Sequence, residues 1–234
     1  MASNDDVDMN TIPLLNCPAM LHTGRYDHPS LRLDDFQKDL DLVELERLDR
    51  CRSNHARRQF CIVRSKLRHL LAGYLDIVPE KIRFQYGNLG KPYIDSDQNH
   101  TGICFSVAHS GGWFAIAVSH GKKVGVDIEL NRPGLKIHRI AEHYFAEAEK
   151  VHLEKSNDPS GDFFKIWTAK EAFLKARGSG FAFALNKFAV GFDTNGIPRL
   201  DRLDDVTDSV ANWALDIPGV DSRITIAVAV KTRE

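Results

Sequence analysis

The sequence predicts an α+β protein. Three observations carry the prediction: stretches with apolar residues spaced three and four apart, stretches that alternate strictly every second residue, and the order in which they come. That order is helix then strands, and then helix then strands again, so the pattern is doubled without a sequence repeat to match it.

Residues 34–75 read as helical. "LDLVELERLDR" has Leu40, Val43, Leu45 and Leu48 at helix-like spacing, and in "ARRQFCIVRSKLRHLLAGYL" Phe60, Val63, Leu67 and Leu70/Leu71 share one face. Gly73 and Pro79 close this run. "KIRFQY" reads as a strand, and "GNLGKPYI" as a turn into a second short strand. "GICFSVAHSGGWFAIAVSHGKKVGVDIEL" reads as three strands broken at "HSGG" and "HGKK". "HRIAEHYFAEAEKVHLEK" is expected to be one helix. Asp162 is the expected N-cap of a short amphipathic helix, "FFKIWTAKEAFLKARGSG", closed by Gly178 and Gly180. "KFAVGFD", "NWALDI" and "RITIAVAV" read as strands. The expected division is a loose N-terminal tail over 1–15, an α+β half over 16–122 and a second over 123–234.

Composition bounds the function. The 234 residues are 43% hydrophobic and 27% charged, ordinary for a soluble globular chain. A net charge of -1 gives no global pull toward nucleic acid or anionic membrane, so any binding charge must be local. Cys17, Cys51, Cys61 and Cys104 show no CxxC spacing, which suits reduced thiols in the cytoplasm. "MASNDDVDMN" is too polar and acidic for a secretory signal, and no apolar run approaches the roughly 20 residues that span a bilayer.

Four features invite a chemical reading. In "VGVDIEL", Val124, Val126, Ile128 and Leu130 share one strand face, and Asp127 and Glu129 share the other. Two such carboxylates repel unless a cation lies between them. They are either the solvated face of an edge strand or a site for a hard cation, with Glu171 as a third acid. On the helix, Glu171 and Lys175 are four apart, either an exposed ion pair or charges at a cleft edge continuing the stripe of Trp167. Between residues 47 and 69 lie Arg47, Arg50, Arg52, Arg57, Arg58, Arg64, Lys66 and Arg68, opposed within that segment only by Asp49. They are a solvated helix face, a phosphate site or an RNA surface, though no interleaved aromatic platform supports the last. Finally, Lys91 sits in a rigid "GKP" turn that presents its ammonium to an anion, and His109 ends a strand before Gly111 and Gly112.

Together these pieces resemble the 4′-phosphopantetheinyl transferases. "GVDIE" followed by "WTAKEAFLKARGSG" is similar to the paired signature of that family. "GKP" and "AHSGGW" upstream, with Arg47-x-x-Arg50 and "RRQF" at Arg57, resemble its longer, monomeric, surfactin-synthetase-activating (Sfp) type. The resemblance spans roughly residues 44 to 182. It implies a pseudo-dimer of two similar α+β halves with the active site in the cleft between them. It also implies transfer of phosphopantetheine from coenzyme A to a serine of an apo carrier protein, with Mg²⁺ or Mn²⁺ as the metal. On this resemblance Asp127, Glu129 and Glu171 hold the metal, and Glu171 and Lys175 are catalytic. Arg47, Arg50, Arg57, Lys91, His109, Lys170 and Lys175 would bind coenzyme A. Three positions depart from the family pattern: Ser106 stands for Asn, Ala108 for Ser and Phe181 for Leu. Residues 1–40 match nothing in the pattern.

The residue types suit phosphoryl transfer, which needs alignment and charge neutralisation more than covalent help. Glu171 or a metal-bound water would take the serine proton. The rival expectations are a Mg²⁺-dependent coenzyme A pyrophosphatase, a non-catalytic coenzyme A or carrier binder, and an RNA-binding module. The expected partners are an apo acyl or peptidyl carrier protein and coenzyme A, with no nucleic acid and no membrane, for a cytoplasmic monomer.

Overall fold

A computed structural model describes residues 9–87, 90–178, 180 and 183–233. Its strands fall into two units of matching connectivity. The first unit runs β1 (Asn10–Ile12), β2 (Met20–Arg25), α1 (Asp34–Gln37), α2 (Leu42–Asp49), α3 (Asn54–Leu75), the hairpin β3 (Phe84–Tyr86) and β4 (Pro92–Ile94), then β5 (Ile103–Ser110) and β6 (Trp113–His120). The second runs β7 (Val124–Leu130), α4 (Ile137–Tyr144), α5 (Glu147–Lys155), α6 (Pro159–Arg177), the hairpin β8 (Phe188–Phe192) and β9 (Pro198–Leu203), then β10 (Trp213–Asp216) and β11 (Ile224–Lys231). The sheets are ordered β1-β2-β6-β5 and β10-β11-β7. In each unit a leading strand pairs with the last strand, the last strand pairs with the one before it, and three helices and a hairpin come between. The element order foretold this doubling.

The two sheets lie face to face between the two long helices. Alternation along the inner strands shows why. In β6, Trp113, Ala115 and Ala117 face the second sheet, while Phe114, Ile116 and Val118 pack under Ile62, Leu67 and Leu71 of α3. In β11, Ile224, Ile226, Val228 and Val230 face the first sheet, and Ala227 and Ala229 lie beneath α6. Both faces of these strands are buried, so they read as unbroken apolar runs, as "RITIAVAV" does.

Several expectations are corrected. Asn10–Ile12 pairs with Leu21–Thr23, so this part of the expected tail is a strand, while residues 1–8 lie outside the described residues. The helix expected over 138–155 is two, because Phe145 and Ala146 are extended. The Ala146 N–H donates instead to the Glu149 carboxylate. Helix α6 starts at Pro159 with Asp158 as its N-cap, a good fit to proline's fixed φ in the first turn. Asp162, the expected cap, sits inside that turn and accepts from Ser156 Oγ at 2.7 Å. Nor is α6 amphipathic. Phe163, Phe164, Ile166, Ala169, Phe173 and Leu174 are buried around its girth, because the sheet covers one side and α4, α5 and β8 cover others. Gly178 closes it with φ 76°, as the sequence predicts. All four cysteines are free thiols.

Candidate active site

The site forms where α6 crosses β7. A Cβ on Gly125 would lie 2.1 Å from the Ala172 carbonyl oxygen and 2.3 Å from the Ala176 nitrogen, both backbone atoms that cannot swing away. Only glycine permits this approach. It places the face of β7 that bears Asp127 and Glu129 against the last turns of α6, which bear Glu171 and Lys175. Gly125→Ala is therefore expected to destabilise the protein by about 3 kcal/mol, the upper range for overpacking, as read from urea unfolding. An unchanged midpoint would show that the crossing tolerates a shift.

Asp127, 7% exposed, is no part of a solvated edge even though β7 ends its sheet. Its Oδ1 accepts from Lys175 Nζ at 2.6 Å, so Lys175 pairs across the crossing and not with Glu171 along the helix. Asp127 Oδ2 and Glu171 Oε1 are buried with no hydrogen-bond partner. Glu129 Oε2 accepts from Ser110 Oγ at 3.1 Å. Burial pushes the Glu171 carboxyl up to about 7, with the Asp127 charge adding to the effect. Burial likewise raises Asp127 against the pull of Lys175, and raises Glu129 with help from Asp127. Three carboxylates thus crowd one ammonium, and two of their oxygens lack donors. That is the arrangement a hard cation relieves. Among the described residues, no three His, Cys, Asp or Glu side chains are gathered closely enough to hold an ion by themselves. A cation that takes one or two protein carboxylates and completes its shell with water and substrate oxygens does not need three. The donor set fits such an ion.

From this point a cleft runs between the units. One cavity of about 470 Å³ is lined by Glu171, Lys175, Leu174, Ser106 and Lys91. A second of about 440 Å³ shares Gly90, Pro92 and Val107 with it and continues to Arg47, Arg64, Gln59 and His109. The far end is cationic. Arg47 lies over the Phe60 ring at 4.9 Å, and His109 Nε2 is 2.7 Å from Gln59 Nε2. Desolvation lowers the His109 pKa and favours its neutral ring.

The other expected site residues divide. Arg50 projects from the end of α2 with its side chain 73% exposed, beside Glu46, and does not line either cavity. Arg57 donates to the Leu48 carbonyl and to Asp49, tying α2 to α3. Lys170 is corrected: it is wholly buried on the far side of α6, holding both Glu149 oxygens at 2.7 Å and the Phe188 carbonyl at 2.8 Å. It does not line the cleft. Lys91 lines the cleft, but its ammonium is not presented to an anion; it donates to the Val124 and Lys175 carbonyls. Among the arginines of the basic run, Arg68 is also buried, bonded to Glu44 and Asp41 at 2.6 Å each. The acids that neutralise it precede the run and were hidden from a count confined to 47–69. Of the departures, Ser106 Oγ accepts from Val126 N–H, and Phe181 lies outside the described residues.

One cleft residue was not singled out in the sequence. Arg64 is 10% exposed, packs over Phe84 at 4.9 Å and pairs with Glu44 through Nε at 3.2 Å. Its Nη1 is buried without a hydrogen-bond partner, and the residue lines the cationic cavity. The available signal was its spacing, four after Phe60 and therefore on the stripe that faces the cleft.

The chain is similar to known proteins of one family. The family model described as "ACPS: 4′-phosphopantetheinyl transferase superfamily" matches residues 123–227. The 4′-phosphopantetheinyl transferase HetI of Nostoc sp. (strain PCC 7120) is 33% identical over 181 residues, covering 76% of this chain and 71% of HetI. The 4′-phosphopantetheinyl transferase Sfp of Bacillus subtilis (strain 168) is 26% identical over 179 residues, covering 74% of this chain and 77% of Sfp. Among solved structures, a holo-[acyl-carrier-protein] synthase from Neisseria meningitidis aligns to 47% of this chain and 98% of its own, with TM-score 0.40 and 19% identity.

Proposed function

The chain belongs to the 4′-phosphopantetheinyl transferase superfamily, and on that premise we propose that it moves the 4′-phosphopantetheine group of coenzyme A to a serine of an apo acyl or peptidyl carrier protein. The observation that carries the proposal is the crossing at Gly125, which sets Asp127, Glu129, Glu171 and Lys175 at one end of a cleft whose other end holds Arg47, Arg64 and His109. Coenzyme A has the matching layout, with a reacting pyrophosphate and a nucleotide that carries a further phosphate. Arg47, Arg64 and His109 bind the nucleotide end, and Lys175 meets the pyrophosphate.

In the reaction the serine oxygen forms a bond to the β-phosphorus, and the bridging P–O bond to adenosine 3′,5′-bisphosphate breaks. Glu171 accepts the serine proton, a role that suits a carboxyl poised near pH 7. Lys175 places positive charge where the leaving group gains negative charge. One or two carboxylates from among Asp127, Glu129 and Glu171 would hold Mg²⁺, or Mn²⁺ in its place, which when bound would supply electrostatic stabilisation to the pyrophosphate. Both units of the fold come from one chain, which supports a monomeric active form. Among the described residues no helix is long and apolar enough to cross a membrane.

The test is to mix the protein with coenzyme A, Mg²⁺ and apo carriers of the fatty-acid, polyketide and peptide types, and weigh each carrier. A carrier heavier by one phosphopantetheine is the expected result. Unchanged carriers with loss of coenzyme A would replace transfer with hydrolysis.

A further inference from the structure

Among the described residues the two units do not join through a backbone ladder. Strand β7 pairs with β11 along one edge only. Its other edge is met by side chains from the first unit. Ser106 Oγ accepts from the Val126 N–H and Ser110 Oγ from the Leu130 N–H, both at 3.1 Å. Lys91 Nζ donates to the Val124 carbonyl at 3.2 Å. Residues 124, 126 and 130 present their backbone groups to the same side, so the three contacts form one seam.

Lys91 does more than close that seam. Its ammonium also donates, at 2.7 Å, to the carbonyl of Lys175. Helix α6 ends at Arg177, so this carbonyl is among the last four, which an α-helix leaves without an internal donor and where its dipole is negative. One side chain therefore fastens the first residue of β7 to the turn of α6 that carries Lys175. It forms a wall between the catalytic cavity and a neighbouring one of about 440 Å³, which share Lys91, Phe105 and Gly178. Two of its three hydrogens are committed to carbonyls.

We infer that Lys91 is a positioning residue for the transfer reaction: reaching over from the first unit, it clamps the last turn of α6 to β7 and so sets where the Lys175 ammonium stands, rather than binding a phosphate of coenzyme A. This rests on the transferase reading of the site. The clamp asks for a compact ammonium that fits between two carbonyls, which the planar fork of arginine does not reproduce. A phosphate contact asks only for positive charge within reach, which arginine supplies well. The two roles therefore separate on substitution.

The experiment measures kcat with a fixed carrier, and the Kd for coenzyme A alone by calorimetry, for wild type, Lys91→Met and Lys91→Arg. Thermal unfolding is followed in parallel. The clamp predicts that both variants bind coenzyme A within threefold of wild type, while kcat falls at least tenfold in both. Should Lys91→Met fail to fold, Lys91→Arg, which keeps stem and charge, carries the comparison. A Kd raised tenfold or more in Lys91→Met and restored in Lys91→Arg, with kcat following occupancy, would overturn the inference. So would a Lys91→Met enzyme with normal kcat. If the wild type itself transfers to no carrier, the functional reading fails separately. The clamp is then read from stability, with a lowered unfolding midpoint and unchanged coenzyme A affinity supporting it and an unchanged midpoint sinking it.

Discussion

Glu171→Gln is expected to slow transfer by a factor on the order of 10² to 10⁴, the usual range for removing a positioned general base, while making the metal-free protein more stable. The two effects have one cause. Glu171 stands among carboxylates with Oε1 buried and unpaired, and burial with the Asp127 charge holds its carboxyl up at about 7. Its folded pKa lies above the ordinary glutamate value of 4.5, so between about pH 4.5 and 7 the folded state keeps a proton that the unfolded state has released. Stability from this group is thus present at low pH and is lost as pH rises through 7. Glutamine removes that loss, keeps the shape, and adds an amide donor for the neighbouring carboxylates. The expected pattern is a unfolding midpoint at pH 8 above that of wild type, with transfer to the carrier nearly abolished. Near-normal turnover in Glu171→Gln would move the base to a metal-bound water. A lowered midpoint would show that the carboxylate is already satisfied in the folded chain.

How much of this was legible follows from where each signal is stored. The doubled α+β order and the three strands of 102–130 depend on local periodicity, and both are found in the structure. Gly125 belongs to the last of these strands, yet its reason does not lie in that strand. It lies in the Ala172 and Ala176 backbone that crosses over it, which no local pattern reveals. The charges fared by the same rule. A lysine or arginine in a sequence declares its charge but not its counter-charge. Lys170 and Arg68 find theirs in Glu149 and in Glu44 with Asp41, across tertiary contacts, and are interior groups. Glu171 and Lys175, one and five residues along the same helix from Lys170, face the other way into the cleft. Helical phase separates Lys170 from Glu171, but phase alone does not say which side is core when the helix is buried nearly all round. Arg64 was not separated from the rest of the basic run for the related reason that its neighbours there look identical until the fold sorts them.

Lys170→Met is expected to lower stability by about 3–5 kcal/mol without weakening coenzyme A binding by the folded protein. The pair it breaks is fully enclosed. Glu149 receives both Lys170 contacts at 2.7 Å, the Val190 N–H at 2.7 Å and the Ala146 N–H at 2.7 Å, so its carboxylate is ringed by donors. Lys170 adds the Phe188 carbonyl and lies 4.3 Å from the Phe188 ring centre. Burial opposes both charges: it pulls the ammonium down to about 8 and raises the carboxyl. The attraction and the surrounding hydrogen bonds offset that cost only while both partners remain. Methionine keeps the aliphatic stem and leaves Glu149 charged and partly unpaired in the interior. The double variant Lys170→Met with Glu149→Gln should recover much of the loss, because no buried charge is then left alone. The pair joins α5, α6 and β8, so its loss loosens the frame behind the site and spares the cleft wall. Urea unfolding of the single and double variants, beside calorimetry with coenzyme A, decides the matter. A tenfold weaker affinity in Lys170→Met under conditions where the protein remains folded would return Lys170 to the cleft, and equal stability of single and double variants would show that Glu149 finds another way to shed its charge.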